Sequence, residues 1–378
     1  MATELLNDLI NTPENETCIT IALNTHRYNN DAQQDPLRFK KMIQEATGKL
    51  EEKGYSAQEA EKLLNDITQL KDKHNFWLKQ QESLIVFVGN GLFEYQKLPF
   101  KINEQVYVSD HFYIKPLIEL QQRMGEYHVL ALSKNNIRLV RIDNQTTTEV
   151  ELEDIPTSYE EFTKFDVYEK SLSSSSTGSG NKQYHGTGDA AADDDRYIEE
   201  FLKQVESGVT AYMRKTNSPL LLAGVDRIQS KYMNVNHYKQ VVRDKALKGN
   251  PDKLSQKELQ EKSQPIIEQE QLEQIRKEAE SSADYTNTDR FARDITQVMK
   301  AAKYGQIDTL FIEKDSEQPG YFDTEKDEVI TENEASDDLY NWAGVKALQN
   351  SGTVYILDKQ YMPDNAASCA LLRYSVSV

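Results

Sequence analysis

Residues 171–195 read SLSSSSTGSGNKQYHGTGDAAADDD, a run of serine and glycine that ends in three aspartates. Its four glycines permit backbone angles that other residues avoid, and its small polar side chains offer nothing to bury. The flanking sequence is typical of packed domains, strand-like over 128–153 and helical over 195–215. We therefore predict a long, exposed loop over 171–195, inserted between a strand and a helix. Long loops inside compact domains are usually functional or disordered.

The composition is that of a folded protein with a very polar surface. The chain has 378 residues, of which 38% are apolar and 28% are charged, and at about 100 to 200 residues per domain we expect two or three domains. No apolar run approaches the ~20 residues that span a membrane, and the start MATE lacks a secretion signal. We therefore expect a soluble, cytoplasmic protein. Cys18 and Cys369 lie in strand-like contexts at opposite ends, which predicts buried, reduced thiols.

The net charge of −18 argues against a protein that simply coats nucleic acid, because attraction to phosphates needs clustered lysine and arginine. The charge is unevenly distributed, however. Residues 313–338 hold eleven acids and two lysines, whereas residues 227–253 hold seven bases and two acids. We predict that 313–338 is an acidic loop that meets a basic protein partner.

The basic segment also contains Tyr232, His237 and Tyr238. Basic residues interleaved with aromatic ones can contact a phosphate backbone and stack on bases. The candidate RNA-binding residues are Arg227, Lys231, Lys239, Arg243, Lys245 and Lys248. The alternative is a solvated face whose tyrosines pack inward, because most charge runs are only surface.

The pattern of elements predicts an α/β protein of three domains, at 1–124, 125–254 and 255–378. In the first domain we predict strands over 17–23, 83–88, 92–95 and 105–108, helices over 36–53 and 56–80, and a hairpin turn at Gly89-Asn90-Gly91. In the middle domain we predict a meander of strands over 128–132, 137–142 and 146–152, then the glycine loop, a long helix and a buried strand over 219–224. In the last domain we predict helices over 288–304 and 337–349 and strands over 307–312, 353–357 and 368–374, an α/β/α sandwich.

Three successive α/β units whose middle member carries an exposed glycine loop resemble the archaeo-eukaryotic peptide-chain release factor and Pelota superfamily. The resemblance rests on residues 184–189 (YHGTGD), on the helix after them, and on the apolar segments LLLAG (220–224), IDTLFI (307–312) and GTVYIL (352–357). It is closest to the bacterial branch of that superfamily. It implies an RNase-H-like middle domain and a C-terminal domain similar to kink-turn RNA-binding proteins.

The family's peptide release depends on a Gly-Gly-Gln tripeptide at the tip of this loop. Here the loop tip candidate is His185, Gly186, Thr187, Gly188 and Asp189, and Gly-Gly-Gln occurs nowhere in the chain. An aspartate would add negative charge where the attacked ester is surrounded by RNA phosphates. The resemblance therefore implies a ribosome- or RNA-associated translation factor that does not hydrolyse peptidyl-tRNA.

Two other functions compete with this interpretation. Asp189, Asp193, Asp194 and Asp195, with Asp143, could hold magnesium in a nuclease or other metal-dependent hydrolase. Acids at a helix start are, however, expected simply because they complement the helix dipole. A protein-interaction scaffold would retain the fold without any RNA. The histidines show no paired metal-ligand spacing, and we expect neither a metal nor a cofactor.

Overall fold

The computed structural model describes residues 2–13, 16–27, 30–143, 146–152, 155–164, 190–331 and 337–374. It has the mixed α/β fold that the sequence predicts. Contacts divide the chain into two compact units: unit 1 comprises 1–122 with 273–378, and unit 2 comprises 123–272. Unit 1 therefore contains both ends of the chain.

The first sheet of unit 1 is antiparallel, with the strand order β3-β2-β1-β4. Its strands are β1 (Cys18–Asn24), β2 (Ser83–Gly89), β3 (Leu92–Leu98) and β4 (Gln105–Ser109). The hairpin between β2 and β3 turns at Asn90 and Gly91, whose φ angles of 51° and 70° suit a tight turn. The turn predicted at this place is confirmed.

The described part of the N-terminal segment has six helices: α1 (Ala2–Ile10), α2 (Asp35–Glu52), α3 (Ala57–Leu63), α4 (Asn65–Lys71), α5 (His74–Trp77) and α6 (Lys115–Met124). The single helix predicted over 56–80 is wrong, because the backbone leaves helical geometry at Leu64 and again at Lys73. A straight helix of that length would be ~38 Å long, longer than the ~23 Å of a seven-residue strand. The breaks keep Leu70 and Trp77 in the core beside the sheet.

Unit 2 is built on a five-stranded sheet with the order β7-β6-β5-β8-β9. Its strands are β5 (Tyr127–Leu132), β6 (Ile137–Ile142), β7 (Thr147–Val150), β8 (Leu220–Gly224) and β9 (Leu247–Lys248). The first three form an antiparallel meander, and β8 pairs parallel with both β5 and β9. The predicted meander and the predicted buried strand over 219–224 are confirmed.

Helices cover both faces of this sheet: α7 (Ala190–Thr216), α8 (Asp226–Val235) and the first part of α9 (Gln256–Ser282). Phe201 and Val205 of α7 pack with Leu222 on one face, whereas Leu259 and Ile267 of α9 pack with Leu221 on the other. Neighbouring residues of a strand point to opposite faces, so β8 is buried from both sides. Residues 159–164 are also helical.

The second sheet of unit 1 is mixed, with the order β10-β15-β11-β14. Its strands are β10 (Phe291–Ala292), β11 (Ile307–Glu313), β14 (Thr353–Leu357) and β15 (Ser368–Leu372). Strands β12 (Gly320–Asp323) and β13 (Glu328–Thr331) form a separate hairpin. The prediction that 313–338 is one continuous loop is therefore wrong, because residues 320–323 pair with residues 328–331.

Two helices, α10 (Ile295–Lys303) and α11 (Leu339–Gln349), pack against this sheet, and the end of α9 joins its core with Ile275 and Ala279. The prediction that α10 begins at 288 is wrong. Asp294 is the N-cap, and its carboxylate accepts hydrogen bonds from the backbone N–H groups of Thr296 and Gln297. The preceding residues are extended and pair with β15 as β10.

Buried polar contacts join the N-terminal and C-terminal segments of unit 1. Asn341 of α11 accepts a hydrogen bond from the N–H of Ile114 at 2.8 Å and donates to the carbonyl of Phe112 at 2.9 Å. Lys115 of α6 forms an ion pair with Asp338 at 2.7 Å, and both side chains are 7% exposed. Such contacts are stable only when every polar group is satisfied, so they fix one arrangement of the two segments.

Candidate nucleic-acid interface

The predicted loop tip, His185 to Asp189, lies outside the described residues. The described chain resumes at Ala190, the first residue of α7, so helix α7 starts five residues earlier than the sequence predicts. Asp193 and Asp194 lie in the first turns of this helix. Acids near a helix N-terminus complement the helix dipole.

The remaining acids of the hypothetical magnesium cluster have protein partners. Asp195 binds the guanidinium of Arg227 and lies 3.4 Å from the Nζ atom of Lys231. The hydrogen bond from Arg227 is the main reason why the pKa of Asp195 lies below its usual value. Asp143 instead accepts hydrogen bonds from the backbone N–H and hydroxyl of Thr146, at 2.7 and 2.8 Å. Among the described residues no group of three or more acids, histidines or cysteines could hold a metal.

Four of the six candidate RNA-binding residues form ion pairs with acids of unit 2. Arg227 and Lys231 share Asp195, as described above. Lys248 lies 3.9 Å from Asp226, and Lys245 lies 3.4 Å from Glu270. The positive charge of these four residues is therefore partly compensated within the protein.

The other two candidates, Lys239 and Arg243, are exposed and have no ion pair among the described residues. Their position relative to the sheet follows from the pairing of β8. Leu220, at the start of β8, pairs with Val241, and Gly224, at its end, pairs with Lys248. Lys239 therefore lies near one end of β8, and Arg227 and Lys248 lie near the other, ~13 Å away along a strand of this length. The structure separates the predicted patch into two groups.

The aromatic residues of the basic segment do not line a surface for stacking on bases. Tyr232 is fully buried, and Tyr238 is buried with its hydroxyl donating to the carbonyl of Ser218 at 2.6 Å. Burial raises the pKa of both tyrosines. His237 is the exposed aromatic residue of the three, with 75% of its side chain accessible. The tyrosines thus pack inward, as the surface alternative predicts.

A buried acid that sequence reasoning missed holds this segment in place. Glu206 of α7 is 6% exposed, and its carboxylate accepts hydrogen bonds from the hydroxyl of Thr210 at 2.6 Å and the backbone N–H of His237 at 2.9 Å. The imidazole of His237 lies 3.3 Å from the same carboxylate. The available signal was an acid on the apolar stripe of α7, between Val205 and Val209. Glu206 therefore fixes the turn that presents Lys239.

Several acids of 313–338 also have partners inside unit 1. Asp338 pairs with Lys115 and caps α11, and Asp327 binds Lys303 and the hydroxyl of Tyr304. These acids stabilise the fold, so only part of the segment's charge is open to a partner. Asp315, Glu325 and Glu328 are among its exposed acids.

The two cysteines are free and buried, as predicted. Burial raises the pKa of both thiols to about 12, so neither is a reactive thiolate at neutral pH. No helix of the described part of the chain is long and apolar enough to cross a membrane.

The meander, helix α7 and the buried parallel strand β8 all lie within residues 127–269. Residues 127–269 match the model of the family described as bacterial archaeo-eukaryotic release factor family 7. This match confirms the predicted resemblance to the bacterial branch of the superfamily. No curated protein matches the chain.

The solved structures that are similar to this chain include archaeal proteins and a yeast protein. The archaeal translation termination factor aRF1 is 14% identical, with 99% of this chain and 97% of that chain covered and a TM-score of 0.23. Archaeal Pelota, in a model of the ribosome-bound protein with ABCE1, is 11% identical, with coverages of 100% and 95% and a TM-score of 0.39. Dom34 of S. cerevisiae is 11% identical, with coverages of 76% and 75% and a TM-score of 0.33. These identities and TM-scores are low, so the resemblance rests on the family match over 127–269.

Proposed function

We propose that this protein is a release-factor-like translation factor that associates with the ribosome and does not hydrolyse peptidyl-tRNA. The observation that carries the proposal is the family match over 127–269, which coincides with the domain that holds the glycine loop. In that loop Gly186-Thr187-Gly188-Asp189 replaces the Gly-Gly-Gln tripeptide on which peptide release depends. In this proposal the segment 171–188 reaches the peptidyl-transferase centre, and the chain lacks the Gly-Gly-Gln residues for the chemistry.

Two exposed bases supply the contact with RNA in this proposal. Lys239 and Arg243 are the candidates without an intramolecular ion pair among the described residues, so their charge is available to phosphates. An acidic protein can bind RNA locally, because Debye screening at physiological salt limits charge interactions to about 8 Å. The exposed acids of 313–338 remain our candidate surface for a basic protein partner.

The proposal is tested by sedimentation of the full chain with ribosomes at two salt concentrations. We expect co-sedimentation that weakens as salt rises, because each phosphate contact releases counterions. Deletion of 171–188 and, separately, the double change Lys239→Glu and Arg243→Glu should each reduce the bound fraction. The matched control is Lys53→Glu with Lys62→Glu, an equal charge change on two exposed lysines, the residue that follows α2 and a residue of α3. This control should sediment like the wild type.

A release assay with peptidyl-tRNA bound to ribosomes tests the second half of the proposal. We expect peptidyl-tRNA to be hydrolysed at the uncatalysed rate even when the protein is saturating. Absence from ribosomes at both salt concentrations would refute the association, and hydrolysis above background would refute the lack of catalysis. Equal binding by the Lys239, Arg243 double variant and the wild type would refute the RNA-facing assignment alone.

A further inference from the structure

A second candidate site lies in unit 1 and is independent of the proposed function. It is a cavity of about 240 Å³ between α1, the turn after β4, the β12–β13 hairpin and α11. Its walls carry two aromatic side chains, Phe322 and Trp342, whose ring centroids are 5.4 Å apart. Leu9, Ile10 and Val345 add apolar surface. The cavity thus offers flat, apolar walls of the kind on which planar rings stack.

An ionised carboxylate, Asp110, lies at the same cavity. Its Oδ1 atom lies 2.6 Å from Nδ1 of His111 and accepts a hydrogen bond from the hydroxyl of Ser109 at 3.2 Å. Its other oxygen, Oδ2, accepts no hydrogen bond from another described residue, and the side chain is 62% exposed. The hydrogen bond from His111 lowers the pKa of Asp110 to about 2, against the effect of its partial burial. At neutral pH the carboxylate is therefore an acceptor only.

Hydrogen bonds through His111 to the buried Tyr107 fix the orientation of Asp110. The Nε2 atom of His111 lies 2.7 Å from the hydroxyl of Tyr107, which is buried. Both ring nitrogens of His111 are thus occupied, and the imidazole is 11% exposed. This chain of hydrogen bonds orients a carboxylate that would otherwise rotate freely.

A positive charge completes the arrangement. The ammonium group of Lys346 lies over the Trp342 ring, 5.7 Å from its centroid, and Lys346 also lines the cavity. A lysine beside the aromatic wall disfavours a small organic cation, which would otherwise suit a carboxylate and aromatic rings. It favours a ligand that combines a planar ring, N–H donors for Asp110 and a negative charge.

We propose that this cavity binds an unpaired guanine base of a nucleotide. Guanine presents two adjacent N–H donors on its Watson–Crick edge, one for Oδ2 of Asp110 and one for Oδ1 in place of the long hydrogen bond from Ser109. Its ring stacks on aromatic side chains. The other bases lack this pair of donors beside each other, so Asp110 selects against them. The cavity is large enough for the base. The base comes either from a free guanine nucleotide or from single-stranded RNA.

Trp342 provides the readout, because the chain has two tryptophans and the other, Trp77, is buried in the core of the first sheet. In the Trp77→Phe variant, titration with guanosine monophosphate should quench the fluorescence of Trp342 saturably. Adenosine monophosphate should bind about tenfold more weakly or worse, the discrimination that one good bidentate contact supplies. A guanine-containing hexanucleotide compared with its adenine counterpart distinguishes RNA from free nucleotide as the source.

Two variants and one control make the test decisive. Asp110→Asn should abolish the preference for guanine, since an amide replaces the ionised acceptor. Thr324 is an exposed residue that lines the cavity. Thr324→Phe should fill part of the cavity and weaken the binding of every nucleotide, which calorimetry measures. Asp66→Asn, an equal change on the exposed face of α4, should bind like the wild type. The proposal is overturned if guanosine monophosphate gives no saturable quenching, if adenosine monophosphate binds equally well, or if tetramethylammonium binds in its place.

Discussion

His128 shows how one buried side chain can make the stability of unit 2 depend on pH. It is fully buried on β5, with Nδ1 2.9 Å from the hydroxyl of Ser218 and the Tyr212 ring 5.5 Å away. Its Nε2 atom has no hydrogen-bond partner among the described atoms. Burial, with a smaller effect of Arg141, lowers the pKa of His128 to about 4. The folded protein therefore holds this imidazole neutral where an unfolded chain would protonate it.

The sign of the pH dependence follows from this difference. As pH falls below ~6.5, His128 becomes protonated in the unfolded state but stays neutral in the folded state. Unit 2 therefore loses stability until about pH 4, where the folded state is protonated as well. We expect a loss of about 2 kcal/mol from His128 between pH 7.5 and pH 5. Hydrogen exchange of peptides from β5 and β6, measured as a function of denaturant, gives the free energy of opening at each pH.

The same measurement on His128→Asn isolates the contribution of this residue. The variant should be less stable at every pH, but its loss between pH 7.5 and pH 5 should be smaller by about 2 kcal/mol. His74→Asn, at an exposed histidine of α5, should keep the wild-type dependence in unit 2. An unchanged slope in His128→Asn would show that the folded state accommodates the protonated ring.

At the scale of elements, the sequence correctly predicted the helices and strands whose hydrophobic pattern is strong. The strands over 83–88, 128–132 and 219–224 were correctly predicted, because an unbroken apolar run bounded by turns has few alternatives. The breaks within 56–80 were not, because the same buried stripe suits one long helix or three short ones, and only the size of the sheet decides. Helix α1 was missed entirely, although its Leu6 and Leu9 are buried.

Composition alone located part of the predicted site, whereas the rest depends on contacts that only the fold creates. A count of bases located the segment that contains Lys239 and Arg243, but could not show that Asp195 compensates Arg227 across 32 positions of sequence. The buried contacts of Glu206 and the cavity beside Asp110 also join residues that are distant in sequence. Neither could be predicted without the fold.

The ion pair between α6 and the start of α11 gives an element-scale prediction. Asp338 both pairs with Lys115 and accepts hydrogen bonds from the N–H groups of Gln318 and Tyr340. Lys115→Met would leave this buried carboxylate without its cation, which should destabilise unit 1 by about 3 kcal/mol. Lys40→Met, at an exposed position of α2, should change the stability by less than about 0.5 kcal/mol. Tryptophan fluorescence in urea measures both changes, and a similar small effect for the two variants would contradict the structural role of the pair.

For the whole molecule, the division into two compact units predicts how the chain unfolds. Unit 1 contains both the N-terminal and the C-terminal segment, joined by Asn341 and by the pair of Lys115 with Asp338. Three independently folding domains, as the sequence suggests, would unfold one by one. Two cooperative units would unfold in two steps, and a change at one end of the chain would be felt at the other.

The two tryptophans distinguish these outcomes, because Trp77 lies in the N-terminal segment and Trp342 in the C-terminal segment of unit 1. Leu310→Ala, in the buried core of β11, should cost about 3 kcal/mol. Introduced into Trp342→Phe, it should lower the urea midpoint reported by Trp77, although that residue belongs to the other sheet. Leu222→Ala, in β8 of unit 2, should cost a similar amount and leave the Trp77 midpoint unchanged. Only a cooperative unit transmits the loss of a core side chain to a distant reporter. If Leu310→Ala leaves the urea midpoint of Trp77 fluorescence unchanged, the chain therefore unfolds as three independent domains.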